Sequence, residues 1–314
     1  MIFFFKKLIK FFFYYSIIIT LLIVILNQFK SNFPYVYNSQ NNVIININKI
    51  NVGFFGDSHL MGGVDIYSFS KQTNKTSFSF SKGGRPLYFT SILIEKMLRI
   101  NPKMEVVVSF GSNNAPYNGS FNYLQDDLFS ETAFKDYASL YSHLFNLNDI
   151  KNFISINLLK TLQSMIKSLL FNYDFFVFDG IDYNTSEYKK NYKKDIQLTK
   201  KKIKKSKTVN HIINYDFEYK RLLEVIRKFP ESKFIIIRTP ETKKALKLYP
   251  QVYHNKLTNK LKNYSNVSYR DFSRLELNVV EDFNDLTHLS KKGMKKFTDI
   301  FVNHYESVNN KKLK

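Results

Sequence analysis

Two short stretches of this 314-residue chain hold residue types that together suit acyl chemistry. The first is Gly56-Asp57-Ser58, at the end of an apolar run. The second is Asp285-Leu286-Thr287-His288, just ahead of a C-terminal amphipathic segment. A serine hydroxyl is a poor nucleophile until a base removes its proton. His288 is the candidate base. Asp285, three residues earlier, can fix the imidazole tautomer and stabilise the imidazolium. Alone, Gly-Asp-Ser reads as a helix N-cap and Asp-x-x-His as a helix-start loop. Of the six histidines, only His288 has an aspartate at that spacing ahead of a helix. Acyl transfer also needs donors aimed at a developing oxyanion. Asn113, in Gly111-Ser112-Asn113-Asn114, offers a side-chain amide. Gly83 and Gly84 each offer a backbone N–H that no side chain obstructs, and the choice between them stays open.

These residues need elements to position them. Ile50–Phe55 is an apolar run that breaks into Gly56, so it reads as a buried strand and a turn. Thr76–Ser81 alternates and reads as a second strand, ending at the glycine pair. Met104–Phe110, Phe234–Arg238 and Val267–Asp271 read as three more. Phe89–Ile100, Phe217–Phe229, Val252–Tyr264 and Lys291–Tyr305 carry helical spacing of apolar residues. Strands alternating with helices imply βαβ units and a parallel sheet covered on both faces. Ligand sites in such sheets lie beyond the carboxyl ends of the strands. Gly56-Asp57-Ser58, Gly83-Gly84 and Gly111-Ser112-Asn113 all fall at those ends, which points to an enzyme. Between residues 120 and 215 the alternation breaks, and this region is read as a helical insertion.

The ordered set resembles the SGNH/GDSL hydrolase family. Gly56-Asp57-Ser58, extended by His59, matches its first block, as in many exported members. Gly83 or Gly84 matches the glycine of the second. Gly111-Ser112-Asn113 matches the third, where Asn114 departs from the usual Asp. Asp285-Leu286-Thr287-His288 matches the last, and Gly293 follows as is common there. The resemblance spans residues of about 50–120 and 215–305. It implies a flavodoxin-like three-layer α/β/α fold over residues 49–310. It also implies Ser58 as nucleophile, His288 as base and Asp285 as its orienter. The oxyanion hole would combine Gly83 or Gly84, Asn113 and the Ser58 amide. Such chemistry calls for no metal or nucleotide cofactor. It leaves open whether water or a sugar hydroxyl resolves the acyl-enzyme. Some exported members add or remove acyl groups on surface polysaccharides, so the implied substrate is an acylated carbohydrate or a small ester.

Composition narrows the classes further. Cysteine is absent, which excludes disulfides, thiolate metal sites and a Cys nucleophile. Gly-rich phosphate loops and H-E-x-x-H are also absent. The net charge of +21 comes mostly from lysine. Lys189–Lys207 alone holds ten Lys against one Asp. A solvated loop is the plain reading of that stretch. An alternative is a non-catalytic, surface-anchored protein that grips an anionic polymer there, but a degenerate copy of the site should have lost one of its residues. Nucleic-acid binding, with Tyr188 and Tyr192 as stacking residues, conflicts with the location implied by the amino-terminal segment.

That segment is Phe11–Asn27, uncharged and almost wholly apolar. Extended over Leu8 and Ile9 it reaches about 20 residues, the length that spans a bilayer. Lys6, Lys7 and Lys10 precede it. Positive charge on that side places the N-terminus in the cytoplasm and the remaining chain outside. No small-residue cleavage site follows, which favours an uncleaved anchor over residues 1–29 rather than a signal peptide. Residues 30–48 read as a polar linker. Deleting residues 1–29 is therefore expected to move the chain from the membrane fraction to the soluble fraction. Continued sedimentation with membranes would contradict the anchor.

Overall fold

The computed structural model describes residues 35–38, 43–109, 209–248 and 252–310, with a few helical positions between 10 and 21. The Asn113 block, most of the 120–215 insertion, the Lys189–Lys207 stretch and most of the expected anchor lie outside the described residues. The chain divides into two units, residues 1–45 with 124–175 and residues 46–123 with 176–314.

In the first unit, Lys10, Phe11, Phe13–Tyr15, Ile17, Ile18 and Leu21 are helical. Phe11, Phe13, Tyr14 and Ile18 are each at least 60% exposed. Among the described residues, no helix is long and apolar enough to cross a membrane. The stretch read as a linker contains two short strands, β1 (Tyr35–Asn38) and β2 (Val43–Asn46), which form a two-stranded sheet. Both carry β-branched or aromatic residues, whose strand preference the polar composition around them obscured.

The second unit is built on a five-stranded sheet. Its strands are β3 (Val52–Phe55), β4 (Ser77–Ser79), β5 (Glu105–Ser109), β6 (Phe234–Arg238) and β7 (Val267–Asp271). They run in the order β4-β3-β5-β6-β7, and every pair is parallel. This is the flavodoxin-like order, and it reverses direction between β3 and β5. Strands β3, β5 and β6 are buried almost throughout, as befits strands covered on both faces.

The helices are α1 (Ser58–Met61), α2 (Ile66–Thr73), α3 (Leu87–Ile100), α4 (Val209–Lys228), α5 (Lys243–Leu248), α6 (Val252–Leu261) and α7 (Lys291–Asn310). The crossover β3-α2-β4 runs one way across the sheet, and β4-α3-β5 runs back past β3. Right-handed crossovers then require α2 and α3 on opposite faces. Accordingly α2 packs with α7, and α3 with α4. The fold is thus α/β in three layers, as the alternation implied.

Helix α4 begins at Val209, inside the stretch read as insertion. Helices α2 and α5 went unread, since each is short and buries few residues.

Side-chain alternation divides the sheet between its two layers. Val52, Phe54, Val107, Ile235 and Ile237 meet Phe69 of α2 and Phe297, Phe301 and Tyr305 of α7. The rings of Phe54 and Phe69 pack edge to face, 4.9 Å apart. Each such side chain contributes about 1.5–3 kcal/mol by burial. Asp65 caps α2 by accepting from the Ser68 N–H, and its own N–H donates to Thr298 of α7. On the other face, α3 has no side-chain cap of its own. The Glu218 carboxylate of α4 accepts from the Leu87 N–H instead.

Glu95 of α3 is buried and ion-paired with Arg99, Arg221 and Lys228. Burial alone would raise its carboxyl pKa. Lys228, Arg221 and Arg99 outweigh burial and hold it at about 2, against an ordinary value of 4.5. A carboxyl depressed in the folded state adds stability that is complete above its unfolded pKa and is lost as pH falls toward the folded one. The variant Glu95→Gln should therefore unfold at lower denaturant than the parent at neutral pH. The gap should close as pH falls from about 4.5 to about 2. A gap independent of pH would show that the ion pairs are not its source.

Candidate active site

Strand β3 delivers Gly56-Asp57-Ser58 to the carboxyl edge of the sheet, at the reversal between β3 and β5. Asp57 is extended and forms the N-cap of α1, its Oδ1 accepting from the His59 N–H at 2.9 Å. Ser58 is the first residue of that helix. Gly56 sits tightly enough that a Cβ there would lie 3.1 Å from Leu60 and 3.3 Å from Ser109.

The loop between β7 and α7 brings the second half. Asp285 Oδ1 accepts from the N–H groups of Thr287 at 2.7 Å and His288 at 2.8 Å. This local turn leaves Oδ2 for His288 Nδ1, at 2.7 Å. The three-residue spacing thus suits one carboxylate to both backbone and ring. With Nδ1–H donating to Asp285, Nε2 is left as an acceptor. It receives the Ser58 hydroxyl at 2.8 Å. Burial pushes the Asp285 carboxyl pKa up, but hydrogen bonds from His288 and the two N–H groups prevail and hold it well below the usual range. The carboxylate therefore stays ionised beside the ring, and the arrangement can take a proton from Ser58.

The loop is clamped at both ends. Thr242 donates its N–H and its hydroxyl to the Leu286 carbonyl, at 3.1 and 2.8 Å. The Asn284 N–H donates to the His288 carbonyl at 2.9 Å. Helix α7 approaches so closely that a Cβ on Gly293 would lie 2.0 Å from the Asp282 carbonyl oxygen. Lys296 of α7 adds a bond to the Asp282 carboxylate at 2.9 Å.

The two glycines separate. A Cβ on Gly83 would be 3.9 Å from the Ser58 Cβ, so Gly83 stands beside the serine. Gly84 has φ 71°, a left-handed turn conformation that favours glycine. Asn113 lies outside the described residues. Ser58, Asp285, His288 and Gly83 are thus brought together. Among the described residues, no cluster of three His, Asp or Glu is placed to hold a metal ion.

Sequence reasoning gave His59 no role. Its ring lies on that of His288, with centroids 4.5 Å apart and planes 10° from parallel. Its Nδ1 lies 3.0 and 2.9 Å from the two oxygens of Asp57. The available signal was an Asp-x-His beside the serine.

Replacing Asp285 with Asn keeps the side-chain size and removes the charge that supports an imidazolium. Fluorophosphonate labelling of Ser58 should slow by about 10³-fold or more in Asp285→Asn, with circular dichroism unchanged. Labelling at the parent rate would remove Asp285 from the site.

No family model matches the sequence, and no curated protein matches it. Solved structures do show likeness. A proposed acylhydrolase from Bacteroides fragilis shares 12% identity over 84% of this chain and 88% of its own, with a TM-score of 0.40. A family 3 carbohydrate esterase from Clostridium thermocellum shares 12% identity over 81% of this chain and 94% of its own, at 0.37. A family two carbohydrate esterase from the same organism, solved with cellohexaose, shares 10% over 82% of this chain and 64% of its own, also at 0.37. In motif order, strand order and the placement of Ser58, His288 and Asp285, the chain resembles the SGNH/GDSL hydrolases.

Proposed function

We propose that this chain is a serine-dependent esterase or acyltransferase working through an acyl-enzyme. The observation that carries the reading is the relay itself, Ser58 Oγ to His288 Nε2 at 2.8 Å and His288 Nδ1 to Asp285 at 2.7 Å. Ser58 Oγ attacks the ester carbonyl while His288 takes its proton, and Asp285 stabilises the imidazolium that forms. The oxyanion is held by the N–H groups of Ser58 and Gly83, with the Asn113 amide completing the hole. Collapse expels the alcohol, which leaves with the proton from His288. Water or a sugar hydroxyl then attacks the acyl-enzyme, its proton passing to His288 and from there to Ser58. With water the product is a free acid. With a sugar the acyl group is transferred.

The substrate we favour is an acylated surface carbohydrate or another ester outside the cytoplasm. Two features of the sequence support this reading. One is the uncharged apolar stretch Phe11–Asn27 behind three lysines. The other is the Gly-Asp-Ser-His form of the first block, as in many exported members of the family it resembles. On this reading the chain is held by a single span with its catalytic unit outside.

The full chain in detergent should hydrolyse p-nitrophenyl acetate, and a fluorophosphonate should label it. Ser58→Ala should abolish both, with circular dichroism unchanged. Labelling without turnover would indicate a transferase lacking its acceptor. Turnover that survives Ser58→Ala would refute the mechanism. A folded chain inert in both assays would favour the non-catalytic alternative, tested through salt-dependent binding of an anionic polymer.

A further inference from the structure

Beneath the Ser58–His288–Asp285 set lies a second carboxylate–imidazole pair that the mechanism above does not use. His59 and Asp57 are both only 6% exposed. Asp57 grips His59 twice, by its ring and by its backbone N–H. The His59 ring is therefore not free to turn. Its face is laid on the His288 ring, nearly parallel and at stacking distance. His59 Nε2 is fully buried and has no hydrogen-bond partner among the described residues. It is thus not placed to pass a proton to Ser58 or to substrate.

We propose that His59 is a positioning residue for His288, setting the plane of the base by stacking on its face. The proposal rests on the acyl-enzyme reading, since it assigns His288 as the base. The stack limits rotation of His288 about its side chain, so that Nε2 stays aimed at Ser58 while Nδ1 stays on Asp285. The Asp57 carboxylate fixes the lower ring of the stack, that of His59. Burial disfavours its protonation, but the adjoining Asp57 carboxylate, with Glu241 and Asp285 further off, prevails and raises its pKa. The charged groups facing it are Asp57 on its own turn, Glu241 beyond β6, and Asp285 with His288 on the β7–α7 loop. Burial in turn pushes the Asp57 carboxyl up, and His59 more than reverses this.

The test uses the full chain in detergent. In His59→Gln the stacked face is lost, and kcat for p-nitrophenyl acetate should fall about tenfold with KM unchanged. In Asp57→Asn/His59→Phe a flat ring is restored, and kcat should recover most of the way to the parent. In Asp57→Asn/His59→Leu the bulk is kept without a flat face, and kcat should stay low. Equal rates in the Phe and Leu variants, or a parent rate in His59→Gln, would show a merely structural role and overturn the proposal. If the parent shows no Ser58-dependent turnover, the acyl-enzyme reading fails by itself. The ring-current shift of the His288 NMR signals, present in the parent and lost in His59→Gln, still decides whether His59 stacks on the base.

Discussion

Ser58 and His288 stand 230 positions apart and meet at 2.8 Å. Neither element carrying them makes that contact alone. A serine in the first turn of a four-residue helix is an inert hydroxyl, and a histidine on a loop is a solvated imidazole. Their meeting depends on the strand order β4-β3-β5-β6-β7. That order puts β3 in the interior of the sheet, with helices leaving it on both faces. It opens a crevice at the reversal beside β3. Helix α7 then returns across the sheet to pack on α2, and its leading loop arrives over the end of β3.

The contact is held by structure that does no chemistry. Phe297, Phe301 and Tyr305 fasten α7 to Phe54 and Phe69. The first turn of α7 is pressed onto the Asp282 carbonyl, which only a glycine at 293 permits. Thr242 holds the loop from the end of β6. Asp285 folds its own loop by taking two backbone N–H groups on one oxygen before it meets the ring with the other. The same carboxylate thus builds the turn and orients the base, so shape and charge are set by one side chain.

Two carboxylate–imidazole pairs share the crevice and differ in one physical respect. The side chains of His288 and Asp285 are 33% and 28% exposed, and those of His59 and Asp57 are 5% and 7%. The first pair is open to a substrate and to proton exchange. The second is dry and has no route for its proton except through its own aspartate. Stacked rings couple it to the open pair without a hydrogen bond between them.

Much of this was legible in the residues themselves. Phe234–Arg238 and Val267–Asp271 are strands with the bounds read from their β-branched and aromatic runs. The parallel, two-faced sheet followed from strands alternating with helices. The Asp285–His288 turn was also legible, because a carboxylate three residues before an imidazole closes on it by local geometry alone. The short helix Ile66–Thr73 was not, since among its own residues Phe69 alone is buried, and one apolar contact leaves no period to read. Nor could sequence choose between Gly83 and Gly84, or foresee His59 against His288. Those are distances between segments far apart in the chain. Local propensity carries no term for them, and only the packing of strands β3 and β4 with the loop ahead of α7 decides which atoms meet.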